Sequence, residues 1–202
     1  MGYTGGSTEY PTYRRLADHT EAFQVEYDPD LVSYDELLQV FWMDHDPGQG
    51  QWSKQYRTAV FTHEESQRKQ AEASRDRIAS SRGVGVTTAV EPLMTFTPAE
   101  EYHQKYYLRR YGDLVREYVA IYPQPEDFVR STAVARVNGF LGGNGTLEDL
   151  EDAMASLGLS RKGQRRLREY VEASSPRRAC PIPAKKQLPV PNGAVREPSP
   201  VR

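Results

Sequence analysis

Residues 2–13 read GYTGGSTEYPTY, and the interpretation of the fold starts from this stretch. Three of its first five residues are glycine, which predicts a turn. Aromatic residues and a proline follow directly. A turn of this kind normally follows a strand and a helix, whereas only Met1 precedes it here. We therefore expect the first strand and the first helix of the domain to lie outside the given sequence.

Strand and helix signals alternate from this turn to about residue 111. Alternating apolar and polar residues and β-branched runs predict three strands, at 22–27, 58–62 and 86–90. Capping boxes or an N-terminal proline predict three helices, starting at Ser33 with Glu36, at Thr62 with Glu65, and at Thr97 with Pro98. This order predicts an α/β domain over residues 1–111, with one sheet edge open where the absent strand would pair.

From about residue 124 the pattern becomes entirely helical. Helices are predicted over 127–141, from Thr146 with Asp149 in a capping position, and from Ser160. Together they form a predicted three-helix unit over residues 124–175. Residues 176–202 are rich in proline and charge and have no periodic apolar pattern, so we predict a disordered tail there.

Composition narrows the possible partners and compartments. The 202 residues include 26 Lys or Arg against 28 Asp or Glu, so the net charge of −2 gives no electrostatic reason to expect a nucleic acid or an anionic membrane as partner. No apolar run approaches the roughly 18 residues of a membrane span. A single cysteine, Cys180, excludes an internal disulfide. We expect an intracellular, cytoplasmic protein, unless an organelle-targeting segment precedes Met1.

Eight short motifs occur in order between residues 2 and 106. They are Gly-Tyr-Thr-Gly-Gly at 2–6, Tyr-Pro-Thr-Tyr at 10–13, His-Thr-Glu at 19–21, Tyr-Asp-Pro at 27–29, Ser-Tyr-Asp-Glu-Leu-Leu at 33–38, His-Asp-Pro at 45–47, Gln-Tyr-Arg at 55–57 and Pro-Ala-Glu-Glu-Tyr-His-Gln-Lys-Tyr at 98–106. In this order they resemble the A-type peptide methionine-S-sulfoxide reductases over residues 2–111. The resemblance implies the α+β sandwich of that family, without its first strand and helix, followed by a small all-helical unit.

The resemblance also implies a chemistry. In that family a cysteine thiolate attacks the sulfoxide sulfur and becomes a sulfenic acid, and a second thiol then forms a disulfide that thioredoxin or another dithiol reduces. Glu21 matches the general acid that delivers a proton to the sulfoxide oxygen. Tyr13 and Tyr56 match the two tyrosines whose hydroxyls bind that oxygen. The implied substrates are oxidised proteins and free methionine sulfoxide, with no bound cofactor, and the spacing of the histidines fits no metal site.

One residue of this chemistry is absent from the sequence. The family's nucleophile lies in a Gly-Cys-Phe-Trp segment upstream of the glycine-rich turn, and the sequence has only Cys180. A tail cysteine can serve as the resolving thiol or have no role at all. Two classes of function therefore stay open. The chain is a piece of a thiol-dependent methionine-S-sulfoxide reductase, or it is a non-catalytic relative that binds methionine sulfoxide or other proteins.

Overall fold

The computed structural model describes residues 1–49, 53–83 and 85–174, and it has the mixed helix and strand content predicted from the sequence. The chain folds as two compact units, Met1–Tyr106 and Tyr107 onward. The first, unit 1, contains all five strands of the described residues and two α-helices. The second, unit 2, has five α-helices in its described part. The tail predicted at 176–202 lies outside the described residues.

Unit 1 contains a three-stranded antiparallel sheet. Its central strand is β1 (Gly2–Thr4), which pairs with β2 (Thr20–Ala22) on one side and with β5 (Phe96–Pro98) on the other. Tyr3 lies directly opposite Glu21 in this register. The Tyr3 side chain is buried in a small apolar cluster of unit 1. The predicted acid therefore sits beside the most central residue of the sheet.

The first strand overturns part of the sequence prediction. A turn is predicted over residues 2–6, but the structure has a strand as far as Thr4 and turns only at Gly5, where φ is +73°. Gly2 serves close packing instead, because a Cβ there would lie 2.4 Å from Cζ of Phe96. Gly5 is thus required by its positive φ, and Gly2 by the lack of space for a side chain.

The strand predicted at 22–27 is shorter and begins earlier than expected. Pairing ends at Ala22, because β1 offers only three partner residues. Beyond that point the described chain provides no ladder partner, and the residues leave the sheet. Phe23 is 70% exposed as a result, and Val25 is exposed as well. Alternating apolar and polar residues indicate a strand, but they do not supply the neighbouring strand with which it must pair.

A parallel strand pair joined by a helix forms the second part of unit 1. β3 (Ala59–Thr62) pairs in parallel with β4 (Ala89–Pro92), and α2 (Glu65–Arg82) makes the crossover between them. A further helix, α1 (Tyr34–Met43), packs against α2. The buried core shared by these helices consists of Leu38, Trp42 and Ala71.

The helix starts of unit 1 confirm one capping prediction and contradict another. Ser33 and Glu36 form the predicted capping box at α1, with the Ser33 N–H donating to the Glu36 carboxylate at 2.8 Å. Thr62 does not cap α2, because it is the last residue of β3 and its hydroxyl donates to the Glu91 carbonyl at 3.3 Å. Glu64 takes the N-cap position without a side-chain cap bond. The local pattern assigns Thr62 to the start of the helix, but in the structure this residue belongs to β3.

The segment after β5 departs most from the sequence prediction. A helix is predicted from Pro98 through the tyrosines that follow, but the structure has two single 3₁₀ turns, Glu101–His103 and Leu108–Arg110. Lys105 between them has φ +53°, a conformation that interrupts a right-handed helix. Regular helix begins only with α3 (Gly112–Ile121), which the sequence analysis does not predict.

The described part of unit 2, residues 107–174, is all-helical, with one apolar core. After α3 come α4 (Pro125–Arg130), α5 (Thr132–Leu141), α6 (Leu147–Ala153) and α7 (Arg161–Ser174). The structure has five helices where the sequence predicts three, partly because the span 127–141 breaks at Ser131. The hydroxyl of that residue accepts from a main-chain N–H and caps α5. The predicted capping box at the start of α6 is confirmed.

Candidate functional site

Glu21, the predicted acid, lies in the middle of β2 and is partly buried. Its backbone N–H donates to the Gln55 carbonyl at 3.0 Å, and the Gln55 side-chain Nε2 donates to Glu21 Oε1 at 2.7 Å. Gln55 therefore holds this residue through both its main chain and its side chain. Gln55 is not among the site residues predicted from the sequence, although it directly precedes Tyr56 in the Gln-Tyr-Arg motif.

The two predicted tyrosines meet beside this carboxylate. Hydrogen bonding with the Tyr13 side chain is the main cause that raises the pKa of Tyr56 above its ordinary value of 10.0. Partial desolvation and the negative charge of Glu21 raise this pKa further, while a hydrogen bond from Gln55 acts against them. Tyr13 and Tyr56 are 40% and 45% exposed. The structure thus brings three motif residues together at one accessible place.

A tightly bonded loop carries Tyr13 to this position. The Asp18 carboxylate accepts hydrogen bonds from the main-chain N–H and the hydroxyl of both Ser7 and Thr8, at 2.7–3.3 Å. These bonds, chiefly the one from the Ser7 N–H, hold the pKa of Asp18 well below its usual range. His19 adds a bond between Nε2 and the Thr8 carbonyl at 2.7 Å. The loop is therefore closed at its base, and Tyr13 lies between two fixed ends.

A second anchor joins the strand that carries Glu21 to the segment that carries Tyr56. Arg57 donates from Nε to Thr20 Oγ1 at 2.8 Å. Both terminal nitrogens of Arg57 donate to the Glu91 carboxylate, at 2.5 and 2.6 Å, and the arginine side chain is only 12% exposed. A bidentate pair of this kind fixes the guanidinium in one orientation. Thr20, which precedes Glu21, and Arg57, which follows Tyr56, are thus directly bonded to each other.

Other predicted features lie away from this cluster. Cys180, the predicted resolving thiol, is outside the described residues. Within residues 1–49, 53–83 and 85–174, no three His, Cys, Asp or Glu side chains are grouped so as to hold a metal ion. These same ranges contain no helix that is both long and apolar enough to cross a membrane.

The arrangement is suited to bind and protonate an oxygen atom. The side chain of Tyr13 interacts with that of Tyr56, and Gln55, which directly precedes Tyr56, holds the Glu21 carboxylate. An acceptor oxygen that replaced the bond between Tyr13 and Tyr56 would receive a hydrogen bond from each hydroxyl. These donors are neutral, so they add no fixed charge to the site.

Comparisons with known proteins agree with the motifs. The family model described as peptide methionine sulfoxide reductase matches residues 1–136. A peptide methionine sulfoxide reductase of Drosophila melanogaster is 35% identical over 162 residues, which cover 79% of this chain and 65% of that protein. Peptide methionine sulfoxide reductase A5 of Oryza sativa subsp. japonica is 40% identical over 146 residues, which cover 69% of this chain and 57% of that protein. This chain therefore spans less than two thirds of the length of these two relatives.

Proposed function

Because the chain belongs to the peptide methionine sulfoxide reductase family, we propose that it serves the reduction of methionine-S-sulfoxide, in proteins or as the free amino acid. The observation that carries the proposal is the pair of bonds from Gln55 to Glu21, which joins the predicted acid to the segment that carries Tyr56. A sulfoxide oxygen is an acceptor with no proton of its own. Two phenol donors bind it without placing a fixed charge near the thiolate that must approach the sulfur.

Each side chain of the cluster has a separate role in the proposed reaction. Tyr13 and Tyr56 exchange their mutual hydrogen bond for two bonds to the sulfoxide oxygen. Glu21, in its protonated form, supplies the proton that this oxygen needs when the sulfur–oxygen bond breaks. Gln55 keeps the carboxyl group oriented through the bond to Oε1. The acid therefore acts on an oxygen that is already held in place.

The electrons for the proposed reaction come from thiols. A thiolate attacks the sulfoxide sulfur, and the oxygen passes with a proton to the attacking sulfur, which gives methionine and a sulfenic acid. A second thiol displaces this oxygen as water and forms a disulfide. Cys180 is the one cysteine of the sequence, and we assign the second step to it. A thioredoxin-type dithiol in the cytoplasm is the proposed partner that reduces the disulfide.

A protein that binds methionine sulfoxide without turnover is the second candidate. The sequence offers no thiol other than Cys180, so unit 1 by itself contains no thiolate to attack a bound sulfoxide. The same cluster would then recognise methionine sulfoxide in an oxidised protein and leave it unchanged. The presence of Glu21 beside the tyrosines supports the reductase, because recognition alone needs no proton donor.

Both candidate functions require the chain to bind methionine-S-sulfoxide in preference to the R epimer, and a binding measurement tests this. The full chain, labelled with ¹³C in its tyrosine rings, is titrated with the S and R epimers of N-acetylmethionine sulfoxide methylamide and followed by NMR. We expect the S epimer to bind more tightly and to shift the Tyr13 and Tyr56 resonances. The control Tyr10→Phe, at an exposed tyrosine of the same loop, should bind like the parent protein. Lack of S binding, or undiminished binding by the double variant Tyr13→Phe/Tyr56→Phe, would contradict the proposal.

Turnover separates the two candidates. The purified chain and its variant Cys180→Ser are incubated with dithiothreitol and a dabsylated methionine-S-sulfoxide. We expect no steady turnover from either, because the sequence holds no cysteine at the position that the motif assigns to the nucleophile. Turnover that Cys180→Ser abolishes would instead assign the attack to Cys180. Turnover that appears once a cysteine-bearing segment is supplied distinguishes a reductase from a binding protein.

A further inference from the structure

The turn that follows β5 contacts the loop that carries Tyr13. Glu100 directly precedes the 3₁₀ turn Glu101–His103, and its two carboxylate oxygens have different partners. Oε2 accepts from the hydroxyl of the buried Tyr3 at 2.6 Å, and Oε1 accepts from the main-chain N–H of Tyr13 at 3.0 Å. One side chain thereby links the central strand of the sheet to the loop of the candidate site.

These two bonds hold the carboxylate in its charged form. The hydrogen bond from Tyr3 is the main cause that lowers the pKa of Glu100, and the bond from the Tyr13 N–H lowers it further. Burial, together with the bond to Glu100, raises the pKa of Tyr3 above its usual range. Glu100 is therefore an anion that accepts from two neutral donors at neutral pH, and such charge-assisted bonds are stronger than neutral ones.

His103, at the end of the same turn, packs on the Tyr13 ring. The centroids of these two rings are 4.7 Å apart, and the imidazole also packs against Tyr102 at 4.2 Å. His103 Nε2 is buried and has no hydrogen-bond partner in the described part of the chain. Packing against two tyrosine rings therefore positions the imidazole of His103. The turn thus holds Tyr13 twice, by its main chain through Glu100 and by its ring through His103.

We propose that Glu100 is a positioning residue of the candidate site, which places Tyr13 and, through it, the hydroxyl of Tyr56. The use of Tyr13 in sulfoxide binding rests on the proposed function. The placement of Tyr13 by Glu100 does not. Removing the carboxylate frees the Tyr13 N–H, so the loop loses its bond to the end of β5 and the Tyr13 hydroxyl moves away from Tyr56. If Glu100 served stability alone, removing its carboxylate would lower the stability of unit 1 and leave the interaction between Tyr13 and Tyr56 intact.

The Tyr56 hydroxyl reports on this role directly, since its bond to Tyr13 is the main cause of its raised pKa. The full chain, labelled with ¹³C at tyrosine Cζ, is titrated by NMR, with Tyr56→Phe to assign the resonance. In Glu100→Ala we expect Tyr56 to titrate at a lower pH than in the parent protein, at the pH seen in Tyr13→Phe. Glu9→Gln removes an exposed carboxylate from the same loop and should titrate like the parent.

Amide hydrogen exchange keeps the test decisive if Glu100→Ala does not fold. Glu100→Gln retains the shape of the side chain and loses its charge, so we expect the Tyr13 amide to exchange faster in this variant and not in Glu9→Gln. An unchanged Tyr56 titration together with an unchanged Tyr13 exchange rate in folded Glu100→Gln overturns the proposal. Neither measurement uses a sulfoxide or a thiol, so a failure of sulfoxide binding would count against the proposed function alone.

Discussion

Unit 1 and unit 2 bury apolar side chains in different ways. In unit 2 one cluster of 14 buried residues includes side chains from all five helices. In unit 1 the buried apolar residues divide into two clusters of three, one around Tyr3 and one around Trp42. Since apolar burial stabilises a fold by about 25 cal/mol per Å², the single large core gives unit 2 more stability per residue than the divided core gives unit 1.

Unit 1 relies more on directional bonds, and these surround the candidate site. Arg57 forms its bidentate pair with Glu91. Asp18 closes the Tyr13 loop, and Glu100 ties that loop to the central strand. Directional bonds fix the geometry of a few groups, whereas apolar contacts tolerate small shifts. The position of functional groups and the stability of the chain therefore depend mainly on different units.

The largest expected effect concerns the position of Glu21 and the two tyrosines in unit 1. A chain with a strand, a Gly-Cys-Phe-Trp motif and a helix added before Met1 should reduce methionine-S-sulfoxide in preference to the R epimer. In that protein Glu21→Gln should lower kcat/KM by about 10²–10⁴-fold, because a general acid contributes about that much. Tyr13→Phe or Tyr56→Phe should cost less, since the other hydroxyl still donates. Stopped assays on each epimer measure this, with the thermal midpoint as a folding control.

Equal activity of Glu21→Gln and its parent would show that another group delivers the proton. A thermal midpoint that falls in parallel with the rate would show instead that Glu21 stabilises the sheet, which would remove the distinction between the two units.

The next effect concerns stability in unit 2. Leu150 in α6 is completely buried in the core, so Leu150→Ala should lower the free energy of unfolding by about 2–5 kcal/mol. The matched control on the same helix is Leu147→Ala, at a side chain that is 37% exposed, and it should stay within about 0.5 kcal/mol. Chemical denaturation measures both. S-sulfoxide binding by folded protein should be unchanged, and weaker binding in Leu150→Ala would break the division of roles.

Limited proteolysis should expose the same difference in the unmodified chain. Cleavage follows the population of opened molecules, and about 1.4 kcal/mol corresponds to a tenfold change in that population. We expect unit 1 to be cut at least about tenfold faster than unit 2, which leaves a resistant fragment that begins near residue 107. Mass spectrometry identifies the fragment. A resistant unit 1 with a sharp thermal transition of its own would contradict the view that its divided core is the weaker one.

The smallest effect is a dependence on pH at the base of the Tyr13 loop. Hydrogen bonds from Ser7 and Thr8 lower the pKa of Asp18 in the folded state. Its contribution to folding is therefore complete above the unfolded value of about 3.9 and is lost as the pH falls through the lower folded value. The amide proton shifts of Ser7 and Thr8 should show this titration below pH 3.9. Asp18→Asn should abolish it, and an inflection above 3.9 would contradict it.

Features that depend on sequence neighbours could be predicted. The capping boxes at Ser33 with Glu36 and at Thr146 with Asp149 form as expected, because each bond joins residues three positions apart. The motifs also name Glu21, Tyr13 and Tyr56, and their roles stay a prediction. Short motifs identify residues by their order in the sequence, so these candidates can be named without knowledge of the packing.

Features that depend on distant partners could not be predicted. The segment after Pro98 has the composition of a helix, yet Glu100 bonds to Tyr3 and Tyr13, which lie 97 and 87 residues earlier. Those bonds and the positive φ of Lys105 replace the helix with short turns. The partners of a side chain across a sheet are set by tertiary packing, which no local pattern contains.

The pairing of β1 with β5 also fixes an order of events during synthesis. Gly2 pairs with Pro98, so the central strand cannot complete its sheet until the ribosome has released nearly all of unit 1. Contacts between residues far apart in sequence form slowly, and helices that pack on their neighbours form quickly. A strand that waits for its partner leaves its backbone groups open to other chains. Slow translation therefore leaves unit 1 open to association with other chains for longer, before the helical unit that follows it has been made.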